Sequence, residues 1–156
     1  MIQLFTELQE KKNVRSNLSA LRASLKEATE EQKAQAIEFV RGHEDLVFGF
    51  LQEEDAKTRK NAALLLGDLA VQNALQPLWK AYTREQTLFV KSAYLEAMKA
   101  LHAEEILSQL KDRLAELEGE PVTEENRKHR EAELRALRAI LIQYEGIDTH
   151  HFDIKQ

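Results

Sequence analysis

Apolar residues recur along this chain at three- and four-residue steps, the spacing that gathers side chains on one face of an α-helix. Val14, Leu18, Leu21 and Leu25 make one such stripe, on a helix running to about Ala28. Thr29 and Gln32 have the pattern of a capping box, because the hydroxyl can accept from the first turn while the amide reaches back. The helix that follows turns Ile37 and Val40 inward and stops near Gly42. Leu46, Val47, Phe50 and Leu51 predict a short third helix. Asp55 is the expected N-cap of a fourth, in which Ala62, Leu65, Leu66 and Leu69 face the core. The pattern breaks at residues 72–74 and resumes with Leu75, Leu78, Trp79 and Tyr82. Pro77 comes early in that helix, where its missing N–H costs least. A helix from about Thr87 to Leu101 presents Val90, Tyr94, Ala97, Met98 and Leu101. Another, with Ile106, Leu107, Leu110, Leu114 and Leu117, ends at Gly119. The clearest break is Glu118-Gly119-Glu120-Pro121-Val122-Thr123, where a loop belongs. Thr123 with Glu124 and Glu125 suits the start of a last long helix that buries Leu134, Leu137, Ile140 and Leu141 and ends near Gly146. Residues 147–156 have no helical period and read as a tail or the start of a linker to a further domain.

A longer repeat overlies the helical one. Leu46, Leu78 and Leu110 are spaced 32 apart, and so are Phe50, Tyr82 and Leu114. Residues 43–52, 74–84 and 105–117 hold the first place in this register and residues 55–70 and 87–101 the second, a pattern of stacked helix pairs. The run Lys57-Thr58-Arg59-Lys60-Asn61-Ala62-Ala63-Leu64-Leu65-Leu66-Gly67-Asp68-Leu69 resembles the second helix of a HEAT or HEAT-like repeat. In that family a basic residue opens the helix, small residues let neighbours pack closely, and a glycine comes near the end. Leu75, Pro77 and Leu78 resemble the first helix of the next repeat. Arg59 stands at the family's basic position, with Lys91 as its mate in the second copy. The acidic residue that often precedes it is Glu54 or Asp55 in the first copy, whereas Gln86 and Thr87 stand there in the second. The resemblance covers residues 43–117, with the flanks as further pairs. It implies an all-α fold: a short right-handed α-α superhelix of about three to four helix pairs over residues 1–146, with a long C-terminal helix.

Composition agrees with helix throughout. The 156 residues are 43% apolar, enough for the core of one domain, and include 5 glycines, 2 prolines and no cysteine. Lacking cysteine, the chain can form no disulfide, thiol nucleophile or thiolate metal site. With 27 acidic and 22 basic residues, the net charge is −5, the wrong sign for a generic polyanion binder. No apolar run is long enough to span a bilayer, and the N-terminus carries no basic segment followed by an apolar one. A cytoplasmic, bacterial protein is expected, with no membrane association and no cofactor, since no Gly-rich phosphate or dinucleotide motif occurs.

Candidate chemistry is sparse. Acidic pairs such as Glu30-Glu31 and Glu104-Glu105 suit first turns, where they complement the helix dipole. No nucleophile, base and orienting group can be assembled from the sequence, so the chain itself is not expected to be an enzyme. His43 and His102 flank helix ends, where donation to terminal carbonyls is an ordinary role. His150-His151 with Asp153 is the one local cluster able to hold a metal weakly, and no metal is expected. Trp79 is assigned to packing, with an exposed contact role as the alternative.

The basic residues carry the functional expectation. Lys57, Arg59 and Lys60 open one inner helix and Lys91 the next, so they could line a common ridge. Arg127, Lys128, Arg130, Arg135 and Arg138 form a second cluster, interleaved with Glu124, Glu125, Glu131 and Glu133. The preferred reading is a non-catalytic scaffold that binds a protein or another domain of a longer chain. Its candidate contact residues are Lys57, Lys60, Asn61, Asp68, Lys91, Lys99, Arg127 and Arg135. The second choice is recognition of RNA or DNA, as in helical modules that accompany RNA-modifying methyltransferases in bacteria or in HEAT-like DNA glycosylases. In the latter, resemblance would give Asp68 the place of a catalytic aspartate.

Overall fold

A computed structural model describes residues 1–145, and all regular structure among them is helical. The tail with His150, His151 and Asp153 lies outside the described residues. The chain forms two compact units, the first spanning Met1–Leu101 and the second beginning at His102.

The first unit contains α1 (Ile2–Gln9), α2 (Val14–Leu25), α3 (Glu30–Gly42), α4 (Glu44–Gly49), α5 (Ala56–Asp68), α6 (Leu75–Arg84) and α7 (Leu88–Ala100). A 3-10 turn, Phe50–Gln52, continues α4, and another, Gln72–Ala74, leads into α6. Helix α5 is the centre of the unit, packed between α2 and α7. Outside this row, α1 lies on α2, the 3-10 turn after α4 on α5, and α6 on α7. Leu18, Leu21, Ala62, Leu65, Leu66, Leu78, Tyr82, Val90, Tyr94 and Met98 fill the interior.

Local chemistry sets the helix ends. The Thr29 hydroxyl accepts from the Gln32 N–H at 3.1 Å, and the Gln32 amide oxygen accepts from the Thr29 N–H at 3.0 Å, which completes the expected capping box. Thr29→Ala is expected to cost about 1 kcal/mol, read as a lower urea midpoint with an unchanged slope. Asp55 caps α5 through the Thr58 N–H at 2.9 Å and the Thr58 hydroxyl at 2.8 Å. The other end of α5 closes in a Schellman turn. The Val71 N–H reaches Leu66 O and the Ala70 N–H reaches Gly67 O, both at 3.0 Å. Ala70 adopts the left-handed region, with φ 52°, at the position glycine usually takes. Leu66 and Val71, which flank this turn, are both buried.

Two features depart from the pattern-based expectation. Residues 2–9 form a helix that a single short stripe did not announce; of its apolar residues only Leu8 is fully buried. On α3 the buried face is Ala36, Phe39 and Val40, while Ile37 is half-buried. The face is set by Phe39, whose ring stacks on Phe5 of α1.

The second unit consists of a 3-10 turn, Ala103–Ile106, then α8 (Leu107–Gly119) and α9 (Arg127–Glu145). Leu110, Leu114 and Leu117 of α8, and Leu134, Leu137, Ile140 and Leu141 of α9, are its buried stripe. Helix α9 begins later than Thr123. Thr123 and Asn126 exchange hydrogen bonds of 2.8 and 3.2 Å, enclosing Glu124 and Glu125 in a turn that precedes the helix. Arginines join the two helices. Arg113 donates at 3.0 Å to the buried Glu133 carboxylate, and Arg130 donates to the terminal carbonyls of Leu117 and Glu118. Arg138 pairs with Glu118 at 2.9 Å.

Candidate functional site

Helices α5 and α7 approach closely near the C-terminal ends of both. A Cβ on Gly67 would lie 2.9 Å from Ala97 Cα and 3.3 Å from Ala97 Cβ, so only glycine allows this approach. Towards their N-terminal ends the two helices leave an open groove of about 350 Å³. Lys57, Lys60 and Leu64 line it from α5, and Phe89, Ser92, Ala93 and Glu96 from α7. Phe89 is 46% exposed, a large apolar side chain left to solvent on the first turn of its helix.

A second, larger cleft of about 740 Å³ opens beside the start of α5 and the end of α6. Its wall is a closed ionic network. Arg59 Nε and Nη2 each donate at 2.9 Å to the two oxygens of Glu85, a bidentate pair, and Nη1 donates at 2.8 Å to the carbonyls of Glu53 and Glu54. Glu85 also accepts from the Thr87 N–H at 3.2 Å and the Tyr94 hydroxyl at 3.3 Å. The side chain of Glu85 is only 6% exposed. Burial raises its pKa, but the Arg59 guanidinium, the Thr87 N–H and Tyr94 together outweigh that and hold the carboxyl below its ordinary value. Burial, reinforced by the charge of Glu85, pushes the Tyr94 hydroxyl up. The hydrogen bond from Arg59 to Glu85 raises the guanidinium further, so both ions persist across ordinary pH. Gln86 and Thr87, the positions 32 residues after Glu54 and Asp55, follow Glu85 directly. Glu85 itself sits at the register position of Glu53.

The expected basic ridge is divided by the fold. Lys57 and Lys60 share the α5–α7 groove, whereas Arg59 is committed to Glu85 and Lys91 extends over the Tyr82 ring, 5.9 Å from its centroid. Asn61 is half-buried on α5. Asp68 receives Arg22 Nε at 2.7 Å, so its carboxylate pairs α5 with α2 and does not stand alone in a cleft. Lys99 is exposed in the last turn of α7. In the second unit Arg127 pairs with Glu124 at 3.2 Å and Arg135 is exposed. Trp79 is half-buried against Tyr82, with ring centroids 5.3 Å apart. His43 Nδ1 lies 2.8 Å from Phe39 O, the helix-end role expected for it.

Phe89, Leu64 and Glu96 were not among the expected contacts. Their signal was present: Phe89, Ser92, Ala93 and Glu96 repeat at the helical steps that place residues on one face, next to the buried stripe of Val90, Tyr94 and Ala97. Among the described residues no group of three His, Asp or Glu side chains could hold a metal ion, and no helix is long and apolar enough to cross a membrane. No protein-family model, curated protein or solved structure matches the chain.

Proposed function

We propose that this chain is a non-catalytic binding module, a short superhelix of HEAT-like helix pairs that offers the α5–α7 groove to a polypeptide, either a separate protein or another domain of a longer chain. The observation that carries this reading is the groove's make-up. Two lysines on one wall face Glu96 on the other, with Leu64, Ala93 and the exposed Phe89 between them. An apolar strip bordered by both signs of charge matches a protein partner, which buries an aromatic anchor inside a polar rim. Phosphates would instead be met by cations without an interleaved carboxylate. The repeat architecture is supported by the 32-residue register, whose two copies are linked by the Arg59–Glu85 pair.

The test is a photo-crosslinking amino acid in place of Phe89 in the full-length protein in its source cells. The expected product is an adduct, or an internal crosslink, that protease destroys, nuclease leaves intact, and Lys60→Glu diminishes several-fold. An adduct removed by nuclease would overturn the proposal.

A further inference from the structure

Helices α1 and α3 of the first unit enclose another groove, of about 610 Å³, whose make-up differs from that between α5 and α7. Its floor is a ladder of three rings. Phe5 stacks on Phe39 with centroids 4.5 Å apart, and Phe39 on His43 with centroids 4.6 Å apart. Because Phe39 O can only accept, the His43 proton on Nδ1 is directed there, and Nε2, 2.8 Å from the Gln9 amide nitrogen, accepts from it. Both hydrogen bonds hold the last ring of the ladder in place. Ile2 extends the apolar surface and is 74% exposed.

The rim belongs to one face of α3, where Glu31, Ala34, Gln35 and Glu38 follow at helical steps. Glu31 and Glu38 are seven residues apart, about 10.5 Å along the axis. Neither is paired among the described residues, and no lysine or arginine lines the groove. The groove therefore combines an apolar floor with a rim of one sign.

We infer that the α1–α3 groove is a docking site for a cationic amphipathic helix, one whose apolar stripe seats on Phe5, Phe39 and Ile2 while flanking lysines or arginines meet Glu31 and Glu38. Charge complementarity selects the occupant. A second copy of this chain packed twofold on the same face would bring its own Glu31 and Glu38 against these two, and like charges there oppose association. Carboxylates likewise repel a nucleic acid or an anionic lipid surface. A helical ligand is favoured over an extended one because α1 and α3 satisfy their own backbone groups and leave no strand edge to pair with. A helix brings its hydrogen bonds with it, and an apolar stripe laid in a groove is its usual mode of recognition. Basic residues one turn pair apart on the ligand, at i and i+7, match the separation of the two carboxylates.

The experiment uses the full chain and a fluorescein-labelled Ala/Leu/Lys peptide of about 15 residues, designed as a helix with a leucine stripe bordered by lysines at i and i+7. Fluorescence anisotropy at low salt is expected to show binding at least about tenfold tighter than for a peptide of the same composition with the stripe scrambled. The double variant Glu31→Lys/Glu38→Lys, on an exposed helix face, should weaken binding by about tenfold or more with unchanged helical circular dichroism. Ile2→Asp should weaken it without altering the fold. Phe89→Ala should leave it unchanged, which separates this site from the α5–α7 groove. Equal binding of the scrambled peptide, or no loss in the double variant, would reduce the attraction to the chain's net charge and overturn the assignment. Dimerisation of the chain that Ile2→Asp abolishes would overturn it in favour of self-association.

Discussion

Replacing Arg59 with methionine is expected to destabilise the first unit by about 3–5 kcal/mol, because it strips a buried carboxylate of its counter-ion. Glu85 is 6% exposed and Arg59 17%, so solvent screens the pair little. The methionine keeps much of the apolar stem but supplies no donor to Glu85 or to the carbonyls of Glu53 and Glu54. Replacing both partners, as Arg59→Met/Glu85→Leu, is expected to cost markedly less than the single change, since no orphaned charge remains and the two carbonyls lie where water reaches them. Acid distinguishes the parent from Arg59→Met. In the parent, the Glu85 pKa is lowered on folding, so its contribution is present above the unfolded value of about 4.3 and is lost as pH falls through the folded one. In Arg59→Met, burial acts without the guanidinium and raises the folded pKa, so protonation restores stability as pH falls. The gap between parent and variant should therefore narrow between pH 7 and pH 4. The single tryptophan of the chain, Trp79, lies in this unit, and its fluorescence during urea unfolding reads the change. An unchanged gap, or a double variant as unstable as Arg59→Met, would contradict this account.

The second large effect is expected at Gly67. Two terms compete in Gly67→Ala. Alanine is favoured over glycine in a helix by about 1 kcal/mol, while forcing a methyl into a packed contact costs about 1–3 kcal/mol. The atom in the way is Ala97 Cα, part of the backbone of α7, which cannot swing aside as a side-chain end would. The clash should win, and Gly67→Ala should lower stability slightly despite its better propensity. Gly67→Leu adds three more heavy atoms to the same contact with no further propensity gain, and a loss of about 3 kcal/mol or more is expected. Gly42 makes a control, because a Cβ there meets nothing within 4 Å. Chemical denaturation of Gly67→Ala, Gly67→Leu and Gly42→Ala tests the order, and stabilisation by Gly67→Ala would refute it.

What the sequence revealed of the fold depended on how local the determining contact is. Thr29 with Gln32, and Asp55 with Thr58, are neighbours in the chain, and both caps were legible from spacing alone. The stripes of α5, α7, α8 and α9 were equally plain, since several turns repeat one signal. Helix α1 was not, because eight residues offer little more than two turns and only Leu8 is deeply covered. On α3 Val40 is buried as its spacing indicates, while Ile37 is only half-buried because Phe39 takes the inner place by stacking on Phe5, a tertiary contact. The ion pairs were the least legible feature. An arginine side chain is long enough to absorb an offset of one residue, so Arg59 finds Glu85 where the register pointed to residues 86 and 87. The same reach gives Asp68 a partner, Arg22, from a helix far back in sequence. Of the basic residues Lys57, Arg59, Lys60 and Lys91, only Lys57 and Lys60 line the α5–α7 groove, and Phe89 joins them there through a tertiary neighbourhood that local spacing does not show.

The Schellman turn at Ala70 has a consequence for how a partner would be met. Its two hydrogen bonds and the buried Leu66 and Val71 fix the exit angle of the chain from α5, in a conformation that alanine holds only because its surroundings demand it. A joint set this way leaves the path from α5 towards α6 little freedom to swing. With α5 and α7 also in close contact at Gly67 and Ala97, rigid-body association is expected at the proposed α5–α7 groove, with the entropy of ordering falling on the ligand. Affinity would then be tuned through the ligand's own stiffness, a constrained peptide outlasting a floppy one of identical sequence on this surface, chiefly through slower departure.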